Sequence, residues 1–128
     1  VLATPAWAGP VTVTGGWFRM LPAGLPAGGY FTAVNTSRAP IAITGVSSSA
    51  CGMVMLHKST AIGGMSGMDM VDKVEIPAGG TVRFAPGGYH LMCQDSRMAV
   101  GGKAPVTLKL SDGSSVTAAF AVKNAAGK

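Results

Sequence analysis

Apolar residues recur along this chain in short runs with a period of two, and no window sustains the spacing of an amphipathic helix. Val106, Leu108 and Leu110 alternate with Thr107 and Lys109, the pattern of a strand with one buried face. Comparable runs occupy Val11–Thr14, Trp17–Phe18, Tyr30–Asn35, Ile41–Val46, Met53–His57, Val74–Ile76, Thr81–Phe84, Tyr89–Met92 and Val116–Val122. Turn-forming residues separate them, among them Pro26-Ala27-Gly28-Gly29 and Ser111-Asp112-Gly113-Ser114. Strands this short, punctuated at such intervals, predict an all-β domain, a sandwich or a barrel. Met65–Val71 is the one segment open to a single helical turn.

Composition narrows the class. A chain of 128 residues fits one domain, and 48% hydrophobic against 12% charged residues excludes a disordered chain. The net charge of +5 invites a nucleic-acid reading. The ten cationic residues, however, are spread from Arg19 to Lys128 without a cluster or aromatic interleaving, so no nucleic-acid partner is expected. Their remaining use is steering toward an acidic protein. No stretch approaches the roughly 20 apolar residues of a membrane span. Residues 1–9 begin apolar and contain Ala6-Trp7-Ala8 before Gly9, as at the cleavage site of a secretory signal. The expected organisation is therefore a signal remnant or flexible terminus over 1–9, a domain over 10–123 and a short tail over 124–128, acting as a monomer.

Cys51 and Cys93 leave two readings open. As a disulfide they suit an oxidising compartment and stabilise the fold by roughly 4 kcal/mol through loop entropy. Alternatively Cys93, directly after Met92, is a soft metal ligand.

The chain has two histidines, His57 and His90, each in or at the end of a strand-like run. Residues two apart on a strand share a face, so His90 and Met92 point the same way with Cα atoms roughly 6.5–7 Å apart. Between the histidines, Gly63-Gly64-Met65-Ser66-Gly67-Met68-Asp69-Met70 reads as a flexible loop whose methionines alternate with small and polar residues. A buried histidine is ordinarily just hydrogen-bonded, and methionine ordinarily fills gaps in a core. Here the methionines have little apolar company, and thioethers with imidazoles are the donors that suit Cu(I).

The spacing resembles that of a known family, the periplasmic copper chaperones of the PCuAC type, whose signature is His-x10-Met-x21-His-x-Met. Ten residues separate His57 from Met68, twenty-one separate Met68 from His90, and His90-Leu91-Met92 completes the motif. With methionine at 8 of 128 positions, both required methionines coincide by chance about once in 250. Val71–Val82 and Ala85–Met92 are also similar to family text, and the resemblance extends over roughly Val11–Val122. It implies a cupredoxin-like Greek-key β-sandwich with Cu(I) bound by His57, Met68, His90 and Met92. It further implies a periplasmic protein that delivers copper to an acceptor, such as the dinuclear copper site of a cytochrome c oxidase subunit, or to another copper chaperone. The chain departs from many members in having Lys58-Ser59-Thr60-Ala61 after the first histidine, and from some in a tail without soft ligands.

Other classes fit less well. Ser59 and Thr60 lack a nucleophile-elbow pattern, and Asp69, Asp72 and Glu75 form no evident acid–base pair, so no enzyme is expected. A blue-copper electron carrier requires His₂Cys with a weak methionine, which the order of His90 and Cys93 suits poorly. Copper sequestration would use the same four residues as delivery.

Overall fold

The computed structural model describes residues 10–22, 25–62 and 65–128, less the side chains of 60–62, 65 and 66. The expected signal remnant at 1–9 lies outside the described residues. The chain is all-β: β1 (Val11–Arg19), β2 (Ala27–Asn35), β3 (Ile41–Ser47), β4 (Met53–Ile62), β5 (Met65–Met70), β6 (Val74–Ile76), β7 (Thr81–Phe84), β8 (Tyr89–Gln94), β9 (Lys103–Leu110) and β10 (Ser115–Lys123). No helix of the described residues is long and apolar enough to cross a membrane.

Hydrogen bonding runs unbroken in the order β5-β4-β8-β2-β1-β10-β9-β3-β6, with β7 on β2. The single domain is thus one sheet curled into a half-barrel around its core. Among the described residues only β1 and β10 pair in parallel; every other pairing is antiparallel.

Alternation decides which side chains enter the core. In β9, Ala104, Val106, Leu108 and Leu110 are buried between exposed or half-buried neighbours. Four phenylalanines fill the centre: Phe31 stacks on Phe84 at 4.2 Å and meets Phe120 at 5.7 Å, and Phe120 meets Phe18 at 5.4 Å. The one fully buried polar side chain described, Asn35, donates from Nδ2 to the carbonyls of Ala39 and Ile76, and its Oδ1 accepts from Ser37. It thereby ties the β2–β3 connection to β6.

A bulge in β1 has a consequence for the outer face. Pairing with β2 shifts register between Thr14 and Trp17, where Gly15 adopts a φ of +65°, a conformation natural to glycine. Before the bulge Val11 faces inward; after it Phe18 does, so Trp17 and Arg19 are delivered to the outside.

The sulfurs of Cys51 and Cys93 are joined, with Cα atoms 5.4 Å apart, stapling the entry of β4 to the core side of β8. Cys51→Ala/Cys93→Ala should lower stability by about 2–4 kcal/mol. Urea unfolding of the wild type under reducing conditions should match the double variant; an unchanged midpoint would show that the staple contributes nothing.

Candidate metal centre

The site is built from the outer face of β4, β5 and β8. On β8, Leu91 and Cys93 are wholly buried in the core, which forces His90 and Met92 to the other face. On β4, Leu56 is buried in the same core, so Met55, His57 and Ser59 share the outer face. Residues directly opposite on antiparallel strands lie on one face, and the register pairs His57 with His90 and Met55 with Met92. On the other flank of β4, Met70 is opposite His57 and Met68 is opposite Ser59.

The segment expected to be a loop is therefore a strand at its methionine end. Met65–Met70 is β5, and neither a flexible loop nor a helical turn carries Met68. Gly63 and Gly64 lie outside the described residues. Composition misled here because an edge strand needs only one paired side. Met68 and Met70 alternate with Gly67 and Asp69, and Asp69 is opposite Lys58 across the hairpin.

His90 has a defined tautomer. Its Nδ1 lies 3.2 Å from the Gly88 carbonyl oxygen, which can only accept, so Nδ1 carries the proton and donates. Nε2 then holds a lone pair, and it faces the Met68 sulfur at 3.2 Å. Two electron-pair donors pointed at each other repel unless an electrophile sits between them. His90 is only 5% exposed, so water does not separate them freely.

His57 completes the imidazole pair, its ring centroid 5.6 Å from that of His90 at an interplanar angle of 69°. Both its ring nitrogens are buried and have no hydrogen-bond partner among the described residues. An unpaired buried polar group costs about 1–3 kcal/mol, which a bound cation would recover at the lone-pair nitrogen. Burial first, and electrostatic coupling to the neighbouring His90 second, hold its pKa below the ordinary 6.5, in favour of the neutral form that binds metals.

Met92 and Met68 join His90 in lining a cleft of about 340 Å³, together with Arg19, Gly28, Tyr30 and Ser59. The fold thus gathers His57, Met68, His90 and Met92 on one face. It sends Cys93 to the opposite one, into its bond with Cys51. That placement removes the thiolate that a blue-copper centre needs. Sequence reasoning missed Met55 and Met70 as companions of the site. The parity of Met55 with His57 was available in the sequence, whereas Met70 needed the hairpin register.

A small β half-barrel with two imidazoles and two thioethers on one face, beside a surface cleft, has the features of a soft-metal-binding domain. Residues 11–122 match the family described as "Putative lipoprotein LpqE-like". The chain belongs to this family, whose architecture is that of PCuAC domains. A curated relative, "Putative lipoprotein Lxx21020" of Leifsonia xyli subsp. xyli, is 32% identical over 120 residues, 91% of this chain and 72% of the relative. Among solved structures, the copper-bound PCuAC domain from PmoF2 superposes with a TM-score of 0.74 at 28% identity, covering 91% of this chain and 94% of that domain. The Cu(I) form of DR1885 from Deinococcus radiodurans gives 0.72 at 36% identity, covering 92% and 81% respectively.

The depressed pKa of His57 fixes the direction of a pH effect. The unfolded chain takes up a proton at His57 as pH falls through 6.5, and the folded chain resists it until lower pH. This contribution to stability is present above 6.5 and is lost as pH falls through 6.5 toward the folded pKa. Urea midpoints between about pH 8 and 5 should show that decline, and His57→Gln should flatten it. An imidazole of His57 titrating above 6.5 by NMR would contradict the arrangement.

Proposed function

We propose that this protein carries Cu(I) between partner proteins outside the cytoplasm, held by His57, Met68, His90 and Met92. One observation carries the reading: the Nε2 lone pair of His90 faces the Met68 thioether at 3.2 Å while Nδ1 is committed to the Gly88 carbonyl. A soft monovalent cation turns that repulsion into two bonds. Thioethers bind hard ions such as Mg²⁺ and Ca²⁺ poorly, so the donor set selects by softness. The copper-bound relatives support the same cargo.

The chemistry of release follows from the same donors. Four neutral ligands leave the complex with one positive charge, and no thiolate locks the ion because both cysteines are in the disulfide. Met68 is 56% exposed on the edge strand, so its thioether is the one an incoming ligand displaces first. The disulfide and the lipoprotein family support an extracytoplasmic compartment such as the periplasm. There the acceptor is a respiratory copper site, as in cytochrome c oxidase, or a second copper chaperone.

Anaerobic Cu(I) titration against a competing chelator tests the reading. His90→Ala and Met92→Ala should each weaken binding roughly 10- to 1000-fold, or about 1.4–4.2 kcal/mol. Met68→Leu should do less to affinity and more to the rate of release. Affinity should fall below about pH 6 as protons compete for the imidazoles. Variants that bind Cu(I) as tightly as the wild type would end the proposal.

A further inference from the structure

The outer face does not stop at the four donors. Met92 is opposite Gly28 on β2, Gly28 is opposite Arg19 on β1, and Arg19 is opposite Lys123 on β10. Arg19, Gly28 and Tyr30 line the same cleft as Met68, His90 and Met92. The β1 bulge is what brings Arg19 there, since without it the residue would face the core.

Arg19 is held by rings. Its guanidinium carbon lies 5.4 Å from the centre of Trp17 and 5.6 Å from that of Tyr30, and these two rings are 5.0 Å apart. The Lys123 ammonium sits 5.2 Å from the Trp17 centre, adding a second cation to the group. Aromatic faces fix a guanidinium without using up its N–H donors. The Arg19 Nε is buried and has no hydrogen-bond partner among the described residues. None of the five carboxylates of the chain lines the cleft. At Gly28 the strand has no side chain, and a Cβ there would come within 2.7 Å of the Tyr30 hydroxyl. The absence of that carbon lets the hydroxyl lie over the backbone beside the position of Met92.

We propose that this cleft is the exchange port for an anionic Cu(I)-chelating group of the copper donor or acceptor, with Arg19 binding its negative charge. The inference rests on the copper reading above. Cu(I) among neutral donors keeps a charge of +1, and Arg19 places a second positive charge in the lining of the same cleft. An anionic guest is attracted by both, and an uncharged one gains nothing from the guanidinium. Three of the four donors line the port and His57 does not, so the guest meets the ion from the side of Met68, His90 and Met92. The guest donates an electron pair to copper, the Met68 thioether departs with its own pair, and the metal stays Cu(I) throughout. His57, behind the ion, is the last ligand to let go.

Two phenanthroline chelators of Cu(I) differ in charge, bathocuproine disulfonate being anionic and neocuproine neutral, and each serves as its own reference across variants and salt. Transfer from the Cu(I)-loaded protein to each is followed anaerobically by stopped flow. Arg19→Gln should slow transfer to the disulfonate about three- to tenfold at low salt and change transfer to neocuproine less than twofold. Arg19→Lys should restore part of the rate, and added salt should erase the difference. Equal slowing with both chelators, or none with either, would overturn the port while leaving the copper site standing. Should Arg19→Gln not fold, the wild type decides: its rate with the disulfonate must fall with salt while its rate with neocuproine does not. A wild type that never holds Cu(I) defeats this inference together with the function it rests on.

Discussion

The site depends on the two-residue alternation of β8. Leu91 and Cys93 are sealed in the core, so His90 and Met92 have one face left to occupy. A slip of one residue would expose Leu91, at a cost of about 1.5–3 kcal/mol, and drive an imidazole into an apolar interior. The staple from Cys93 to Cys51 opposes the same slip from the core side. Register then does the rest, because pairing Leu56 with Leu91 in the core places His57 opposite His90 outside it.

The all-β class was legible because its signal is local: alternation and turn residues can be read strand by strand, as in Val106–Leu110. The proximity of His90 and Met92 was legible for the same reason, since it needs only the strand period. Proximity of His57 and Met68 to them was not a matter of local pattern; it came from the resemblance in spacing. Met68 shows where local reasoning fails. Gly63-Gly64 and the run of small and polar residues suggested a loop, yet main-chain pairing with β4 makes a strand of Met65–Met70. Edge strands bury little, so their sequences carry little of the apolar signal by which strands are recognised. The cleft was hidden for a different reason. Arg19 and Tyr30 join Met92 only through a bulge and two interstrand registers, none of which is written in any one segment.

The same architecture sets a compromise between holding and releasing a metal. In the proposed copper site a rigid pair on β8 and a register-locked imidazole on β4 would supply three donors, so little ordering would accompany binding. The fourth donor comes from the sheet edge, where β5 is paired on one side only. An edge strand can lift without breaking the interior ladder, because its outer hydrogen-bonding groups already face away from the sheet. Under the proposed function, Met68 at that edge confines the mobile step of exchange to the cheapest place in the fold.

Burial of His57 makes the apo protein carry part of the cost of binding. Its two ring nitrogens, unpartnered among the described residues, weaken the metal-free state, and in the proposed site that weakness would become affinity once a cation pairs one of them. A carboxylate beside His57 would relieve the strain more simply, but it would also favour the imidazolium and hold a hard divalent ion. The neighbours the registers supply are instead His90, Met70 and, along the strand, Met55, none of which brings an anion. Burial first, and His90 second, favour the neutral form of His57, and in the proposed site neutral donors would leave the charge on the ion available to attract an incoming group. Unpartnered imidazole nitrogens, soft sulfurs and a guanidinium lining the cleft would, under the proposed exchange, form one arrangement: each leaves negative charge to be supplied from outside.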